Sequence, residues 1–276
     1  MLVNLKEILK IAEEKKIAIG AFNTPNFTSL HAIIGAAEEL DLPVIIMHAQ
    51  VHEEMGLCKM EEVAPMMVTA AKNAKVPVCV HLDHGTDLDY VKRGLELGFT
   101  GVMYDGSVLP DAENIANTIQ TVKWAKEYGA SVEAELGSMG AREGGDAEAA
   151  KSIYTDPDEA KKFVETTGVD ALACAFGTSH GFYTAAPKLD FDRVTKINSL
   201  IDVPIVMHGG SGVSVEDYKK VIACGVRKVN YYTYMSKAGA EAINGKTYKQ
   251  FHDVLLDAEK AMKEDVKKAM TVFAGK

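Results

Sequence analysis

Short apolar runs rich in β-branched residues recur along the whole chain and alternate with longer stretches of helical periodicity. The runs lie at residues 17–22, 44–48, 78–82, 101–104, 131–135, 171–176, 205–208 and 227–231. Strands that are apolar on both faces are typical of a parallel sheet covered by helices. Between the runs, apolar residues recur at the spacing of one helix face, as Leu30, Ile33 and Ala37 do. This unbroken alternation of strand and helix predicts a closed (β/α)8 TIM barrel in the α/β class.

No linker or low-complexity segment divides the chain, so we expect residues 1–276 to form a single barrel domain. Proline stands at the entrance of three predicted strands, at Pro43, Pro77 and Pro204, where a missing N–H is tolerated. Apolar residues spaced along 251–270 predict a long C-terminal helical extension. An open doubly wound sheet is the alternative, but no Gly-x-Gly-x-x-Gly motif follows the first strand.

The charge balance argues against a nucleic-acid partner. The chain has 39 acidic and 30 basic residues, a formal charge of -9, and its lysines and arginines are scattered. No apolar run approaches the ~20 residues of a membrane span, and the first residues lack the layout of a signal peptide. We therefore expect a cytoplasmic protein with no membrane partner. Its four cysteines lie apart among apolar neighbours, which predicts reduced, buried thiols.

Polar residues follow every predicted strand, at the rim where the chemistry of such barrels gathers. They are Asn23, His48, Gln50, Asp83, His84, Asp105, Glu135, His180, His208 and Asn230. The three imidazoles of His84, His180 and His208 come from different strands that share one mouth, so they can converge. Three histidine ligands leave one coordination position of Zn²⁺ open for substrate oxygens, and nearby carboxylates can supply further ligands. This pattern predicts a metal site; His52 and His252 have no convergent partner in it.

The loop after the seventh strand is rich in glycine and indicates an anion site. It reads His208-Gly209-Gly210-Ser211-Gly212. Backbone N–H groups of such small residues can approach an anion, and the loops after strands seven and eight are the usual phosphate site of these barrels. Asn230 and Thr233 face this loop from the eighth strand. A plain tight turn is the alternative interpretation.

The segment 136–146 is too glycine-rich and irregular to be a rigid element, so we expect it to form a lid. Glu143 on this lid could deliver an acid or base once substrate is bound. A surface loop with no catalytic role is the other interpretation.

At these positions the chain resembles the class II, metal-dependent ketose-bisphosphate aldolases, which act on fructose and tagatose bisphosphates. The resemblance covers nearly the whole chain and keeps the family's order of motifs. The motifs are Gly20-Ala21-Phe22-Asn23, His81-Leu82-Asp83-His84-Gly85, Tyr104-Asp105-Gly106-Ser107, Val132-Glu133-Ala134-Glu135-Leu136-Gly137, Phe176-Gly177-Thr178-Ser179-His180-Gly181, the glycine loop at His208, and Lys228-Val229-Asn230.

The resemblance implies a role for each site residue. His84, His180 and His208 would hold Zn²⁺, and Asp105 and Glu135 would serve a second or resting metal position. Asp83 would be the catalytic acid/base, and Glu143 would exchange the proton at the nucleophilic carbon of dihydroxyacetone phosphate. The implied substrate-binding residues are Asn23, Gly181, Gly209, Gly210, Ser211, Asn230 and Thr233, with a monovalent cation near the phosphate. The partner would be a small sugar phosphate, and we expect a homodimer or homotetramer.

Elementary chemistry agrees with these roles. Joining a ketone to an aldehyde requires an enediolate, whose charge a cation stabilises. One group must take the carbon-bound proton while another protonates the aldehyde oxygen, which gives Glu143 and Asp83 separate tasks. A class I aldolase would need a Schiff-base lysine. The sixth predicted strand has none, and Lys228 lies early in the eighth strand.

The distal half of the substrate stays open. Bisphosphate aldolases of this family resemble one another in placing an arginine in the C-terminal helical region, often from a neighbouring subunit. This chain has no arginine after Arg227, although Lys246, Lys249 or His252 could substitute. The distal group could instead be a sulfonate, a carboxylate or uncharged. Fructose or tagatose bisphosphate is the first expectation.

Two other functions fit the sequence less well. A metal-dependent hydrolase of the amidohydrolase type needs a His-x-His pair after the first strand, where this chain has Ala21-Phe22-Asn23. A sugar-phosphate-binding barrel without catalysis would have no need of the separate proton carriers Asp83 and Glu143.

Overall fold

The predicted barrel is present in the computed structural model of the chain, which describes residues 1–138 and 153–276. In these ranges one parallel sheet contains nine strands. They are β1 (Leu2–Val3), β2 (Ile19–Asn23), β3 (Val44–Ala49), β4 (Val78–Gly85), β5 (Gly101–Tyr104), β6 (Ser131–Leu136), β7 (Ala171–Cys174), β8 (Ile205–Met207) and β9 (Val226–Tyr231). Strands β2 to β9 pair in chain order, and β9 pairs with β2, which closes the barrel.

Helices follow the strands and cover the outside of the barrel. The described ranges contain α1 (Leu5–Lys15), α2 (Phe27–Leu40), α3 (Gln50–Glu54), α4 (Met60–Asn73), α5 (Leu88–Glu96), α6 (Asp111–Tyr128), α7 (Pro157–Thr167), α8 (Phe191–Asn198), α9 (Val215–Cys224), α10 (Thr233–Ile243) and α11 (Phe251–Phe273). Local sequence sets their ends: Asn4 and Asn26 form capping boxes at the starts of α1 and α2, and Gly129 and Gly168 end α6 and α7 in the left-handed conformation.

One feature at the N-terminus was not predicted from the sequence. Strand β1 pairs with the beginning of β4, Leu2 opposite Val78. Helix α1 then buries Leu5, Ile8 and Leu9 against the apolar side chains of the barrel interior. Because α1 packs into the end of the barrel where the strands begin, it leaves the opposite end for the polar residues.

The predicted C-terminal helix is confirmed as α11, which packs against α2 and α10. Its last turn also holds the chain at the first barrel strand, since the N–H of Ala18 donates to the carbonyl of Phe273 at 3.0 Å. Phe251 and Leu256 on the same helix are exposed. No helix within 1–138 or 153–276 combines the length and apolar character needed to cross a bilayer.

Several predicted boundaries are wrong by a few residues, and hydrogen bonds explain them. The first barrel strand begins at Ile19 because the N–H groups of Ile17 and Ala18 donate to the ends of α1 and α11. Strand β7 ends at Cys174 because Ala175 bonds to Thr155 on both its N–H and its carbonyl. All four cysteines are free, but only Cys79 and Cys174 are buried; Cys58 and Cys224 are partly exposed.

Candidate active site

The polar residues predicted at the strand ends lie together at one end of the barrel. Asn23 ends β2, Asp83 and His84 lie near the end of β4, and His208 directly follows β8. Parallel strands place all their carboxyl ends on the same rim, so residues far apart in sequence become neighbours. Asn230 on β9 completes the ring beside β2, where it lies opposite Ala21.

The three histidines predicted to form a metal site do converge. The ring centroid of His84 lies 5.0 Å from that of His180 and 4.5 Å from that of His208. The centroids of His180 and His208 are 6.0 Å apart. One ring nitrogen of each lies within 4.8 Å of those of the other two. The Nδ1 of His208 and the Nε2 of His84 are 2.8 Å apart. These are donor atoms of the kind that Zn²⁺ prefers.

His84 reaches this position through a left-handed backbone conformation, with φ of 47°. Positive φ is uncommon for a residue with a side chain, and such strain is concentrated at functional sites. The pairing of β4 with β5 also shifts its register between Leu82 and Gly85, at the same place. The local irregularity turns the imidazole of His84 into the mouth of the barrel.

Carboxylates beside His84 make the site favourable for a cation. Asp105 accepts a hydrogen bond from Nδ1 of His84 at 2.8 Å and two from Ser107. Asp105 and Glu135 each bring an oxygen within 4.8 Å of a ring nitrogen of His84. Among the described residues the buried Oε2 of Glu135 has no hydrogen-bond partner. The donor set therefore fits a divalent ion, with Glu135 oriented to contribute a further oxygen.

The proton affinities reflect the same crowding of negative charge. Burial and the Asp105 carboxylate raise the pKa of Glu135 well above its usual value. Burial alone would lower the pKa of His84, but the Asp83 carboxylate and the hydrogen bond to Asp105 raise it to about 10. Both shifts show that this position favours positive charge.

Asp83 is held in one orientation by two amides. Its Oδ1 accepts from Nδ2 of Asn230 at 3.0 Å, and its Oδ2 accepts from Nδ2 of Asn23 at 3.2 Å. Burial alone would raise the pKa of Asp83, but the positive charge of His84 lowers it below the usual range. Asp83 is thus an ionised carboxylate beside the three imidazoles.

The glycine loop after β8 comes too close to its neighbours for larger side chains. A Cβ at Gly209, whose φ is 61°, would lie 2.4 Å from the carbonyl oxygen of Ser179. The N–H of Gly210 donates to the carbonyl of Asn230 at 3.0 Å, which ties the loop to β9. A small pocket at this loop is lined by Asn23, Asp83, His180, Gly181, Gly209, Ser211, Asn230, Tyr231, Tyr232 and Thr233. Since α10 begins at Thr233, a helix N-terminus borders the same pocket.

The comparisons with known proteins agree with this geometry. The family model described as fructose-bisphosphate aldolase class-II matches residues 3–276. The chain belongs to this family. It is therefore a class II aldolase, a carbon–carbon lyase.

Its relatives include both sequences and solved structures. A fructose-bisphosphate aldolase of Staphylococcus aureus (strain Mu50) is 37% identical over 279 residues, covering 99% of this chain and 97% of that protein. The crystal structure of the YdjI aldolase from Escherichia coli K12 superimposes with a TM-score of 0.89 at 35% identity, over 99% of this chain and 97% of that one. A fructose-bisphosphate aldolase from Campylobacter jejuni, at 21% identity and a TM-score of 0.81, shows the same fold over 99% of this chain and 95% of that one.

This class II aldolase also contains a buried charged pair that sequence reasoning did not assign. Glu133 and Lys228 are both fully buried, and their Oε2 and Nζ atoms are 2.9 Å apart. Glu133 also accepts from Nε2 of His208 at 2.7 Å. The signal was present in the sequence, because period two in a strand puts Glu133 on the same face as Glu135 and Lys228 on the same face as Asn230.

Two tyrosines that the sequence did not single out support the glycine loop of the aldolase. The Tyr183 hydroxyl donates to the carbonyl of Gly209 at 2.8 Å and accepts from the N–H of Ser179 at 3.0 Å. The Tyr218 hydroxyl donates to the carbonyl of Gly210. These contacts fix the backbone that the pocket depends on.

Two further predictions concern residues beside the aldolase site. His52 belongs to neither group of possible metal ligands among the described residues; it is buried, and its ring centroid lies 5.1 Å from that of Tyr232, which lines the loop pocket. Glu143 and the rest of 139–152 lie outside the described residues. The roles of Glu143 and of the lid stay predictions.

Proposed function

We propose that this chain catalyses the reversible retro-aldol cleavage of a ketose 1-phosphate to dihydroxyacetone phosphate and an aldehyde. Fructose or tagatose bisphosphate is the first candidate substrate, in keeping with the family description and the name of the S. aureus relative. The observation that carries the proposal is the convergence of three imidazoles next to the buried carboxyl group of Asp83, whose two oxygens are held by amides.

We propose that His84, His180 and His208 hold one catalytic Zn²⁺, with Asp105 and Glu135 serving a second or resting position. When bound, the ion supplies positive charge that stabilises the enediolate formed during cleavage. The unpartnered Oε2 of Glu135 and the closeness of the Asp105 and Glu135 carboxylates to His84 support a cation here. A monovalent cation near the phosphate remains part of the proposal.

Asp83 is proposed as the general base for cleavage. Cleavage of the carbon–carbon bond requires that the hydroxyl group on the carbon that becomes the aldehyde loses its proton. Asp83 suits this task because it is ionised, while the amides of Asn23 and Asn230 hold both its oxygens in place. In the reverse direction the protonated Asp83 returns that proton to the aldehyde oxygen. Glu143 is proposed to exchange the proton on dihydroxyacetone phosphate, as the resemblance implies.

The phosphate is proposed to bind in the pocket of the glycine loop. Gly181, Gly209, Ser211, Asn230 and Thr233 line this pocket, and α10 begins at Thr233, so the N-terminus of a helix borders it. Asn23 lines it too, next to Asp83. Gly210 contributes by fixing the loop, since its own N–H is bonded to Asn230.

A second candidate substrate has a distal end that is not a phosphate. Beyond Gly181, Tyr232 and Thr233 lies a cavity of about 440 Å³, also bordered by Met55, Leu57, Phe182, Ala240, His52, Ser236 and Lys237. Lys237 is its only lysine or arginine within the described residues, and its ammonium pairs with Glu241. A distal phosphate prefers several cationic donors. This lining favours a weaker anion or an uncharged hydroxylated end.

A substrate panel separates these candidates. Fructose 1,6-bisphosphate, tagatose 1,6-bisphosphate and ketose 1-phosphates with other distal groups are incubated with the protein, and released dihydroxyacetone phosphate is coupled to NADH oxidation. We expect turnover that stops after EDTA and returns with Zn²⁺. Turnover that survives complete metal removal contradicts the class II mechanism, and absence of turnover on every substrate supports a binding protein without catalysis.

We also propose a cytoplasmic location and a homodimer or homotetramer. The four free cysteines are typical of a reducing compartment. Phe251 and Leu255, four residues apart on α11, are both exposed and offer an apolar face for a second subunit. Analytical ultracentrifugation tests the assembly; a monomer at micromolar concentration would contradict it.

A further inference from the structure

Lys228 is a fully buried lysine in the interior of the barrel, and each of its close polar contacts belongs to the site. Its Nζ lies 2.9 Å from Oε2 of Glu133 and 2.7 Å from Oδ1 of Asn230. Because Lys228 and Asn230 are two residues apart on β9, both side chains face inward. A lysine is seldom buried without a partner of this kind.

The first branch of contacts runs from Lys228 to Asp83. An ammonium can only donate hydrogen bonds, so Asn230 must turn its carbonyl oxygen towards Lys228. The amide nitrogen is then directed at Oδ1 of Asp83, to which it donates at 3.0 Å. Without the ammonium of Lys228, the amide of Asn230 is free to rotate and to turn its oxygen towards Asp83. The amide oxygen and the Asp83 carboxylate would then repel each other. Lys228 therefore determines which end of Asn230 faces Asp83.

The second branch runs from Lys228 to His208. Oε2 of Glu133 forms an ion pair with Nζ of Lys228 at 2.9 Å, and Oε1 accepts from Nε2 of His208 at 2.7 Å. Since a carboxylate only accepts, the His208 proton stays on Nε2 and the lone pair of Nδ1 faces His84. His81 lies beside the same carboxylate, with its Nε2 3.5 Å from Oε2. The ion pair with Lys228 holds the carboxylate in the orientation in which Oε1 faces His208.

We propose that Lys228 is a positioning residue that sets two features of the site at once, the amide orientation at Asp83 and the imidazole tautomer at His208. The inference rests on the proposed function for the role of Asp83, whereas its His208 branch depends only on metal binding. Lys228 touches neither substrate nor ion in this account. It acts through Asn230 and Glu133.

Three variants separate the branches. Lys228→Met removes the ammonium at similar length. Glu133→Gln allows an amide N–H to face Nε2 of His208, so that the imidazole proton moves from Nε2 to Nδ1. Lys228 still faces Asn230 in this variant. The double variant Lys228→Met with Glu133→Gln avoids an unpaired buried charge, and so remains usable if Lys228→Met alone does not fold. Lys10→Met is the matched control, because the Lys10 side chain is 76% exposed.

Two readouts are measured on each protein. Competition with a chromophoric chelator gives the affinity for Zn²⁺ alone. At saturating Zn²⁺, the rate of carbon–carbon cleavage is divided by the rate of hydrogen exchange of dihydroxyacetone phosphate in D₂O. Exchange does not use Asp83 in the proposed mechanism, so this ratio isolates the Asp83 step.

We expect Lys228→Met and the double variant to bind Zn²⁺ about 10- to 100-fold more weakly and to lower the cleavage-to-exchange ratio at least about tenfold. Glu133→Gln should weaken Zn²⁺ binding and leave the ratio unchanged, and Lys10→Met should change neither. Wild-type affinity and a wild-type ratio in folded Lys228→Met, or in the double variant, overturn the inference. If the wild type shows no cleavage, the proposed function fails, and the Zn²⁺ affinities alone then decide the positioning role.

Discussion

Asp83 is the residue on which the proton chemistry of the proposal depends. Its two oxygens accept from Asn23 and Asn230, and neighbouring positive charge lowers its pKa below the usual range although burial alone would raise it. We predict that Asp83→Ala retains Zn²⁺ and loses about 10²- to 10⁴-fold in kcat, the usual contribution of a general base. Steady-state kinetics with metal analysis of the same sample checks this.

The exposed Asp89→Ala on α5 is the control for loss of a carboxylate, and it should keep the wild-type kcat. If Asp83→Ala turns over at the wild-type rate, another group performs the proton transfer at oxygen.

At this scale the sequence predicted the convergent residues and the two asparagines beside Asp83, but missed the buried pair Glu133 and Lys228. His84, His180, His208 and Asp83 were predictable because each follows a strand of a parallel barrel, and the closed sheet brings the ends together. Glu133 and Lys228 were missed because their pairing joins β6 to β9 across the barrel, which no local pattern reveals. The left-handed φ of His84 was likewise not predictable, since nothing in its neighbours requires it.

The glycine loop after β8 is the element whose backbone shape the proposed phosphate site needs. Gly209→Ala would place a Cβ 2.4 Å from the carbonyl oxygen of Ser179 in a left-handed conformation. The loop must shift, and a misplacement of about 1 Å in such a site costs about 100-fold. We predict a fall of that order in kcat/KM for the ketose phosphate.

Gly129→Ala is a matched control, since Gly129 is also left-handed with a φ of 69° but has open space around its Cβ. It carries the backbone strain without the clash. Equal kinetic losses in the two variants would show that the loop geometry has no special role.

Helices α3, α4 and α5 are joined by one carboxylate, that of Glu53. It accepts from the N–H of Met60 at 2.9 Å, the Tyr90 hydroxyl at 3.0 Å and the Arg93 guanidinium at 3.0 Å. Burial alone would raise the pKa of Glu53, but these bonds lower it below its usual value. Its stabilising effect is therefore complete above the unfolded pKa of about 4.3 and is lost as the pH falls through the folded value.

We predict that Glu53→Gln lowers the free energy of unfolding by about 1 to 3 kcal/mol at pH 6, and that the deficit shrinks as the pH approaches 3. Urea denaturation at several pH values measures this difference, with Glu54→Gln, its exposed neighbour on α3, as the control. A deficit that grows with acidity would show that Glu53 is not the anionic partner.

The element pattern was the most predictable level of the structure. Eight strands and the C-terminal helix follow from hydrophobic periodicity and glycine or proline at their ends. Strand β1 was missed because Leu2 and Val3 are too short a run to show any period. The strand ends were misplaced where N–H groups such as that of Ala18 bond to helix ends, which is decided by tertiary packing.

The whole barrel is expected to gain stability from its metal. The candidate ligands come from β4 and from the loops after β7 and β8, so the unfolded chain does not hold them together. An ion that binds only the folded state at 100 times its Kd stabilises by about 2.7 kcal/mol. We predict that Zn²⁺ raises the Tm of the EDTA-treated protein by about 5 °C or more.

His208→Ala should abolish this rise, whereas His31→Ala on the surface should retain it. A rise of equal size in His208→Ala would place the ion elsewhere.

Anomalous diffraction at the zinc edge from crystals of the Zn²⁺-loaded protein locates the ion itself. We predict one strong peak bounded by ring nitrogens of His84, His180 and His208, each about 2.0 to 2.1 Å away. A fully loaded protein whose zinc peak lies away from these three rings would contradict this prediction.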